Sequence, residues 1–351
     1  MNNWTCIFFC TLILGAATAW AKRDITFVSI SDLHYRQADH EKCNNYKMPS
    51  TLKELNSIHA VEWPSKLGGG NVGVPRGVVA LGDLIDDGAL SRDGRDITAE
   101  QFRFFEKDFG VYGEGTVKFP VFEGWGNHDG GPEGTRKNGA FSVQCEIKRR
   151  NHIRLERNLI SNLSTNGLHY SWDWDDVHFV QLNLYPGDEH KTKKTETRKQ
   201  ADGTVKEVET YRYDPIWHNP QGALSFLRED LEKNVGTSGR PVVLMSHCGF
   251  DTDWWSPPAW AEFYAVAKPY NVVLYLYGHT GTGIKPWVPQ GETKILDCIN
   301  DGHGDLGFFV ILITDDKIRA AYRRKETKNG IQSWTWDCLF EKQLKADSAQ
   351  K

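Results

Sequence analysis

Gly82-Asp83-Leu84-Ile85-Asp86 stands directly behind the apolar run Val78-Val79-Ala80-Leu81, so a buried strand ends there on a carboxylate. Four further polar clusters close apolar runs of the same kind: Asp32-Leu33-His34, Gly126-Asn127-His128-Asp129, Ser246-His247 and Gly278-His279-Thr280-Gly281. Carboxylates, an amide and imidazoles delivered at strand ends can cage cations. The reading that follows is convergence on two metal ions, with Asp83 as their bridge.

Outward from that stretch, Ile25 to Ile30 reads as a strand buried on both faces that delivers Asp32 and His34. Ser50-Thr51-Leu52-Lys53-Glu54 has the form of a capped helix start, with Leu52, Leu55, Ile58 and His59 on one face. Gly68 to Pro75 is a glycine-rich connection. It lacks a following Lys-Ser/Thr and precedes a strand, which argues against a nucleotide-phosphate loop. Thr98 to Phe109 reads as a helix whose Phe102, Phe105 and Phe109 belong to the core. Pro120-Val121-Phe122 is a short strand leading to Gly126. Lys148 to Asn162 reads as a surface helix with Ile153, Leu155, Leu159 and Ile160 facing in and its arginines solvated.

From Leu168 the period becomes two. Leu168 to Trp174 and Val177 to Leu184 form a hairpin around Asp175-Asp176. The Lys-, Thr- and Glu-rich segment 188–213 is expected to be an inserted, exposed β-hairpin turning at Ala201-Asp202-Gly203-Thr204, a surface excursion or a flap. Gln221 to Asn234 is an amphipathic helix, and Val242 to Met245 and Val272 to Leu276 are buried strands carrying His247 and His279. Trp254, Trp255, Pro257, Pro258 and Trp260 suggest a stiff aromatic loop beside the site. Phe308 to Thr314, Ile318 to Arg323 and Ser333 to Phe340 supply antiparallel strands. Strands alternating with helices and then hairpins predict a layered α/β sandwich with no internal repeat.

The 351 residues are read as one domain over 22–351, behind a leader at 1–21. Residues 4–19 are apolar apart from threonine, and Ala19-Trp20-Ala21 gives a small-x-small cleavage site before Lys22, the pattern of a secretory signal peptide. That apolar stretch is short for a bilayer span, and no later run is long enough, so the mature chain is expected to have no transmembrane segment and to be secreted or periplasmic. With 42 Lys+Arg against 46 Asp+Glu the net charge is -4, which gives no reason to expect a nucleic-acid partner. Cys6 and Cys10 would leave with the leader. Cys43, Cys145, Cys248, Cys298 and Cys338 remain, permitting one or two disulfides with at least one thiol left over, and they contain no C-x-x-C pair for a zinc knuckle.

Phosphate esters resist hydrolysis because hydroxide must approach an anion and an alkoxide must leave. Two divalent ions about 3.5–4 Å apart answer both problems. Oxygen and imidazole donors suit Mn, Fe or Zn, admit Ca and Mg, and do not choose among them. The ordered set of motifs resembles the calcineurin-like metallophosphoesterase superfamily, from about Ile25 to Gly281. That resemblance implies a four-layer α/β/β/α sandwich with mixed sheets and hydrolysis of small or lipid-derived phosphate mono- or diesters. It implies that Asp32, His34 and Asp83 hold one metal, and that Asp83, Asn127, His247 and His279 hold the other. His128 would be the general acid or phosphate-orienting group, with the Asp86 carboxylate as its partner. Two departures stand out. Gly281 occupies the place of a second histidine in Gly-His-x-His, leaving that seat to water or to His303, and Asp86 replaces the metal-binding tyrosine of purple acid phosphatases. Asp87, where an arginine would stand, and the leader speak against a Ser/Thr protein phosphatase. The competing expectation is a non-catalytic binding protein that keeps the fold with a degraded metal site.

Overall fold

The computed structural model describes residues 23–38, 45–88, 91–92, 95–132 and 141–344; the expected leader, with Cys6 and Cys10, and Cys43 lie outside them. Strand Asp24–Ile30 is buried along nearly its whole length because alternate side chains serve two different cores. Ile25 and Phe27 join one apolar cluster with Val79, Phe122, Phe179, Met245 and Leu276, while Val28 and Ile30 join another. Val243 and Met245 face the first cluster and Val242 and Leu244 the second, so the period repeats on a distant strand.

Two mixed sheets result. One runs in the order Ile331–Gln343, Lys317–Lys328, Gly307–Thr314, Asp24–Ile30, Val78–Ala80, Val121–Glu123. The other runs Thr282–Ile284, Cys298–Asp301, Val272–Tyr277, Val242–Met245, Val177–Gln181, Tyr170–Trp174, Asn162–Leu163. The first cluster fills the space between the sheets. The second gathers Leu52, Phe105, Ile147, Leu227 and Phe263 from helices Met48–Asn56, Ile97–Asp108, Val143–Glu156, Ala223–Asp230 and Pro257–Ala267. The architecture is the expected four-layer α/β/β/α sandwich, and Phe102, Phe105 and Phe109 lie in its core. The strands that carry the polar clusters run parallel (Val28 beside Val78, Val78 beside Val121, Val242 beside Val272), so their carboxyl ends emerge on one side of each sheet. Among the described residues no helix is long and apolar enough to cross a membrane.

Several local expectations are corrected. The first helix begins at Met48 with proline in its first turn; Ser50 Oγ donates to the Lys47 carbonyl instead of capping, and His59 is exposed. The aromatic stretch after Trp254 is mostly helix, Pro257–Ala267, starting on its prolines. Cys145, Cys248, Cys298 and Cys338 are all free thiols. The surface helix spans Val143–Glu156, and only some of its arginines are solvated: Arg149 is exposed, but Arg150 and Arg154 are 1% and 0% exposed, whereas Leu155 is 41% exposed. Both guanidiniums converge on the buried Glu123 carboxylate. The charged segment forms the hairpin Lys193–Lys199 and Val205–Tyr211, exposed along its length.

A second buried ionic group ties the other sheet to its helix. His178 donates from Nδ1 to Asp173 at 2.7 Å and from Nε2 to Asp230 at 2.6 Å, and Arg240 pairs with the same Asp173. Burial opposes a charge on this imidazole, but the two carboxylates overcome it and raise its pKa. A group with a raised folded-state pKa stabilises fully below its unfolded value of about 6.5 and loses that contribution as the pH climbs through the raised value. Urea midpoints of the wild type and His178→Gln should therefore differ most near about pH 6 and converge on the alkaline side. A gap that stays constant across that range would show that the bridge carries no charge.

Candidate metal centre

The loops that hold the polar clusters are continuations of strand pairing. Beyond the last ladder pair, Ile30 beside Ala80, the two chains stay zipped: Asp32 N–H donates to Gly82 O at 3.1 Å, His34 N–H to Asp83 O at 3.0 Å and Tyr35 N–H to Leu84 O at 3.1 Å. This places Asp32, His34 and Asp83 side by side. The sheets are then stitched across the interlayer space. His247 Nδ1 donates to the Leu81 carbonyl at 2.9 Å, and Asp32 Oδ2 accepts the His279 backbone N–H at 2.9 Å.

Asp83 lies at the centre, 1% exposed. Its Oδ1 accepts the His128 N–H at 2.9 Å, while its Oδ2 stands 3.3 Å from His247 Nε2 and 3.8 Å from His34 Nε2. Asp32 Oδ1 is 3.8 Å from the same His34 nitrogen, and Asn127 Oδ1 is 2.9 Å from His247 Nε2. All six sequence-predicted ligands thus meet in one cluster, His279 through its ring 5.1 Å from that of His247. Asp32, His34, Asp83 and His279 all have positive φ, 52°, 46°, 50° and 72°, a backbone state that costs about 1–3 kcal/mol each and persists where surroundings enforce it for a purpose. Gly126 is forced by close approach: a Cβ there would collide with Asp83 Oδ1 and lie 2.8 Å from the His247 ring.

The donor set fits cations. Ligand atoms of Asp32, Asp83 and His247 lie within 4.8 Å of one another, as do those of His34, Asp83 and His128 and those of His247, Cys248 and His279. His247 commits Nδ1–H to a carbonyl, which leaves Nε2 facing two oxygens that can only accept. Something positive must stand between them, either a proton or a metal. The electrostatics agree. Burial opposes charge on His34, yet Asp32, Asp83 and Asp86 push it up to about 9; burial likewise opposes charge on His247, and Asp83 pushes it up to about 9. Burial would raise the Asp83 carboxyl, but His247, His128 and His34 hold it far below its usual range. Burial, with His247, brings His279 down to about 4.

His128 is exposed at the mouth of the cluster, its ring edge-on to His34 at 4.7 Å. Its expected partnership with the Asp86 carboxylate is not what the geometry gives. His128 Nδ1 donates to the Asp86 backbone carbonyl at 2.5 Å, whereas the carboxylate pairs with Arg36 at 2.7 Å and stands 3.6 Å from His34 Nδ1. The Asp86 carboxylate therefore lies nearer His34 than the mouth histidine, without a hydrogen bond to either ring. Gly281 has φ 104° and open space where a side chain would begin; His303 is exposed and joins none of the converging ligand groups among the described residues.

Two residues without an assigned role also shape the site. Asp129 is buried and accepts three backbone N–H groups, from Leu84, Ile85 and Gly126, pinning the Asp83 loop to the Asn127 loop. Its place as the last residue of Gly126-Asn127-His128-Asp129 was the available signal. Trp217 donates Nε1–H to the Asn127 carbonyl at 2.9 Å from a loop 90 residues away, and no local pattern announces it. Trp254 turns its ring edge-on to His279 at 5.6 Å and stacks on Tyr213 at 3.8 Å, so the foot of the charged hairpin touches the rim of the site.

A family model for calcineurin-like phosphoesterases matches residues 25–282. Among solved structures, GAP50, the anchor in the inner membrane complex of Plasmodium, is 12% identical over 92% of this chain and 89% of its own, with a TM-score of 0.47. TT1561 of Thermus thermophilus is 14% identical over 83% and 94%, with a TM-score of 0.38. The Haemophilus influenzae NAD nucleotidase is 13% identical over 91% of this chain, which spans 50% of that one, with a TM-score of 0.38. No curated protein matches the chain. With the family model covering most of its length, and the motifs of that family gathered around Asp83, the chain belongs to the calcineurin-like phosphoesterase family.

Proposed function

We propose that this protein is a metal-dependent phosphoric ester hydrolase, acting outside the cytoplasm on small or lipid-derived phosphate mono- or diesters with a pair of Mn, Fe or Zn ions. One observation carries the reading: a buried carboxylate, Asp83, lies within 3.8 Å of imidazole nitrogens from both sheets. Bound there, divalent ions would supply Lewis acidity that activates water and screens the phosphoryl oxygens. Asp32, His34 and Asp83 would hold one ion, and Asp83, Asn127, His247 and His279 the other. Leu81 O fixes His247 with Nε2 toward the cage, and the Asp86 carboxylate, 3.6 Å from His34 Nδ1, favours a positive charge there. His128, its Nδ1 committed to the Asp86 carbonyl, has Nε2 left to protonate the leaving oxygen or to bond a phosphoryl oxygen. Trp254 beside His279 offers an organic leaving group an aromatic wall.

Hydrolysis of nitrophenyl phosphate or its bis-nitrophenyl diester after reloading with Mn, Fe or Zn is the direct test, and inertness toward both with every metal would refute the proposal. His128→Ala should keep its metal content while kcat falls about 10²–10⁴-fold. Elemental analysis and turnover measured on the same preparation separate that result from simple loss of the cage.

Gly281 supports a second reading, a binding protein with a degraded site, because the outer seat keeps only Asp32, His34 and Asp83. Two metals per chain favour the enzyme, and none favours the binding protein.

A further inference from the structure

The inner seat has one more donor than the family pattern calls for. Cys248 follows His247 in sequence, and its Sγ belongs to the group of ligand atoms, with those of His247 and His279, that lie within 4.8 Å of one another. It is fully buried. Its backbone is fixed from both sides: the N–H donates to the Leu184 carbonyl at 2.8 Å, and the carbonyl accepts Ser246 Oγ at 3.0 Å and the Tyr275 hydroxyl at 3.4 Å. The thiol is thereby held in place without being used. Cys298, also fully buried, donates its Sγ–H to the Leu296 carbonyl at 3.3 Å, whereas Cys248 Sγ makes no such bond among the described residues.

We propose that Cys248 is itself a metal ligand: a cation seated on His247 and His279 also takes the Cys248 thiolate, so that the inner seat selects thiophilic ions. The inference rests on the metal-dependent reading above and deepens it. On binding, the Sγ–H bond breaks, the sulfur–metal bond forms and the proton passes to the buffer, with no change of oxidation state. Imidazole together with thiolate is a donor set for zinc and cobalt(II), while manganese and magnesium prefer carboxylate, carbonyl and water oxygens. Donors are therefore shared unequally. The seat near Asp32 and His34 has lost a ligand at Gly281, and the seat near His247 and His279 has gained one. The first equivalent of a soft ion should bind at the inner seat.

Titrating cobalt(II) into the metal-stripped full chain, followed by near-ultraviolet absorption and calorimetry, tests this. A thiolate-to-cobalt charge-transfer band should grow to saturation with the first equivalent. Cys248→Ser should abolish the band and weaken cobalt at least tenfold relative to manganese, while Cys298→Ser and Cys145→Ser keep it. Cobalt bound without the band, or a band that survives Cys248→Ser, overturns the role of Cys248 and leaves the phosphoesterase reading standing; no cobalt bound at all overturns both. Should Cys248→Ser fail to fold, cadmium NMR on the wild type decides: a resonance shifted toward sulfur ligation supports the proposal, and one typical of oxygen and nitrogen alone defeats it.

Discussion

Asp83→Asn should leave a folded protein that holds neither cation and hydrolyses phosphate esters at background, a loss of about four orders of magnitude or more on the scale of enzymatic rate enhancements. Asparagine retains an oxygen to accept the His128 N–H, now 2.9 Å from Oδ1, so the Asn127-His128 loop keeps its anchor. What disappears is the negative charge that two imidazoles share. With it gone, Asp32 is the one carboxylate left among the proposed ligands, and two divalent ions so near each other have no anionic bridge. The same substitution should destabilise the metal-free protein, because the Asp83 charge that His247, His128 and His34 hold far below its usual range is the one those imidazoles pair with. Relief of the neighbouring Asp129, which burial and the Asp83 charge push up to about 7, offsets only part of that loss. A lower melting temperature in the absence of metal, with metal content near zero, is the expected pair of results. Two cations retained per chain would remove Asp83 from the centre of the site.

The legible part of this molecule is the part whose physics is local. A run such as Val78 to Leu81 can only be a strand buried on both faces, and the carboxylate or imidazole that follows it must sit at a strand end. That reasoning is enough to nominate the polar clusters that contain Asp32, His34, Asp83, Asn127, His247 and His279, while the choice of those six as ligands comes from the family resemblance. Convergence itself is not local. It depends on two sheets facing each other, on Leu81 O meeting His247 and on Asp32 meeting the His279 amide, and sequence reaches it only through resemblance of the whole motif order. Where the sequence reading failed, a partner distant in the chain decided the outcome. Arg36 claims the Asp86 carboxylate, so His128 receives the backbone carbonyl; Trp217 reaches Asn127 from the loop beyond the hairpin. Amphipathic periodicity likewise assigns an arginine to the solvent by default, and nothing within the helix reveals a buried acid waiting on a strand.

That acid carries the second large effect. Glu123→Gln is expected to destabilise the fold by about 3–5 kcal/mol, a large share of the roughly 5–15 kcal/mol that holds a domain folded. Glu123 is 0% exposed and pairs with two buried guanidiniums: Arg150 Nε at 2.6 Å, and Arg154 through Nη2. Burial alone would raise the Glu123 carboxyl, but Arg150 and Arg154 outweigh it and hold it below its usual range, so it is ionised. The arginines' other donors are already committed, Arg150 to the Phe109 carbonyl and Arg154 to the Val121 carbonyl and Asn151 Oδ1, and the nearest other acid, Glu106, lies 3.9 Å from Arg150 at the surface. Replacing Glu123, Arg150 and Arg154 together with apolar residues of similar volume should recover much of the loss, because it removes the uncompensated charges rather than one partner. Glu123 ends the strand that presents Asn127 and His128 four and five residues later, so loosening it also loosens the metal cage. Saturating metal should then raise the urea midpoint of Glu123→Gln, as binding to the folded state alone requires. A midpoint close to wild type without metal would show that the two arginines do not depend on this carboxylate.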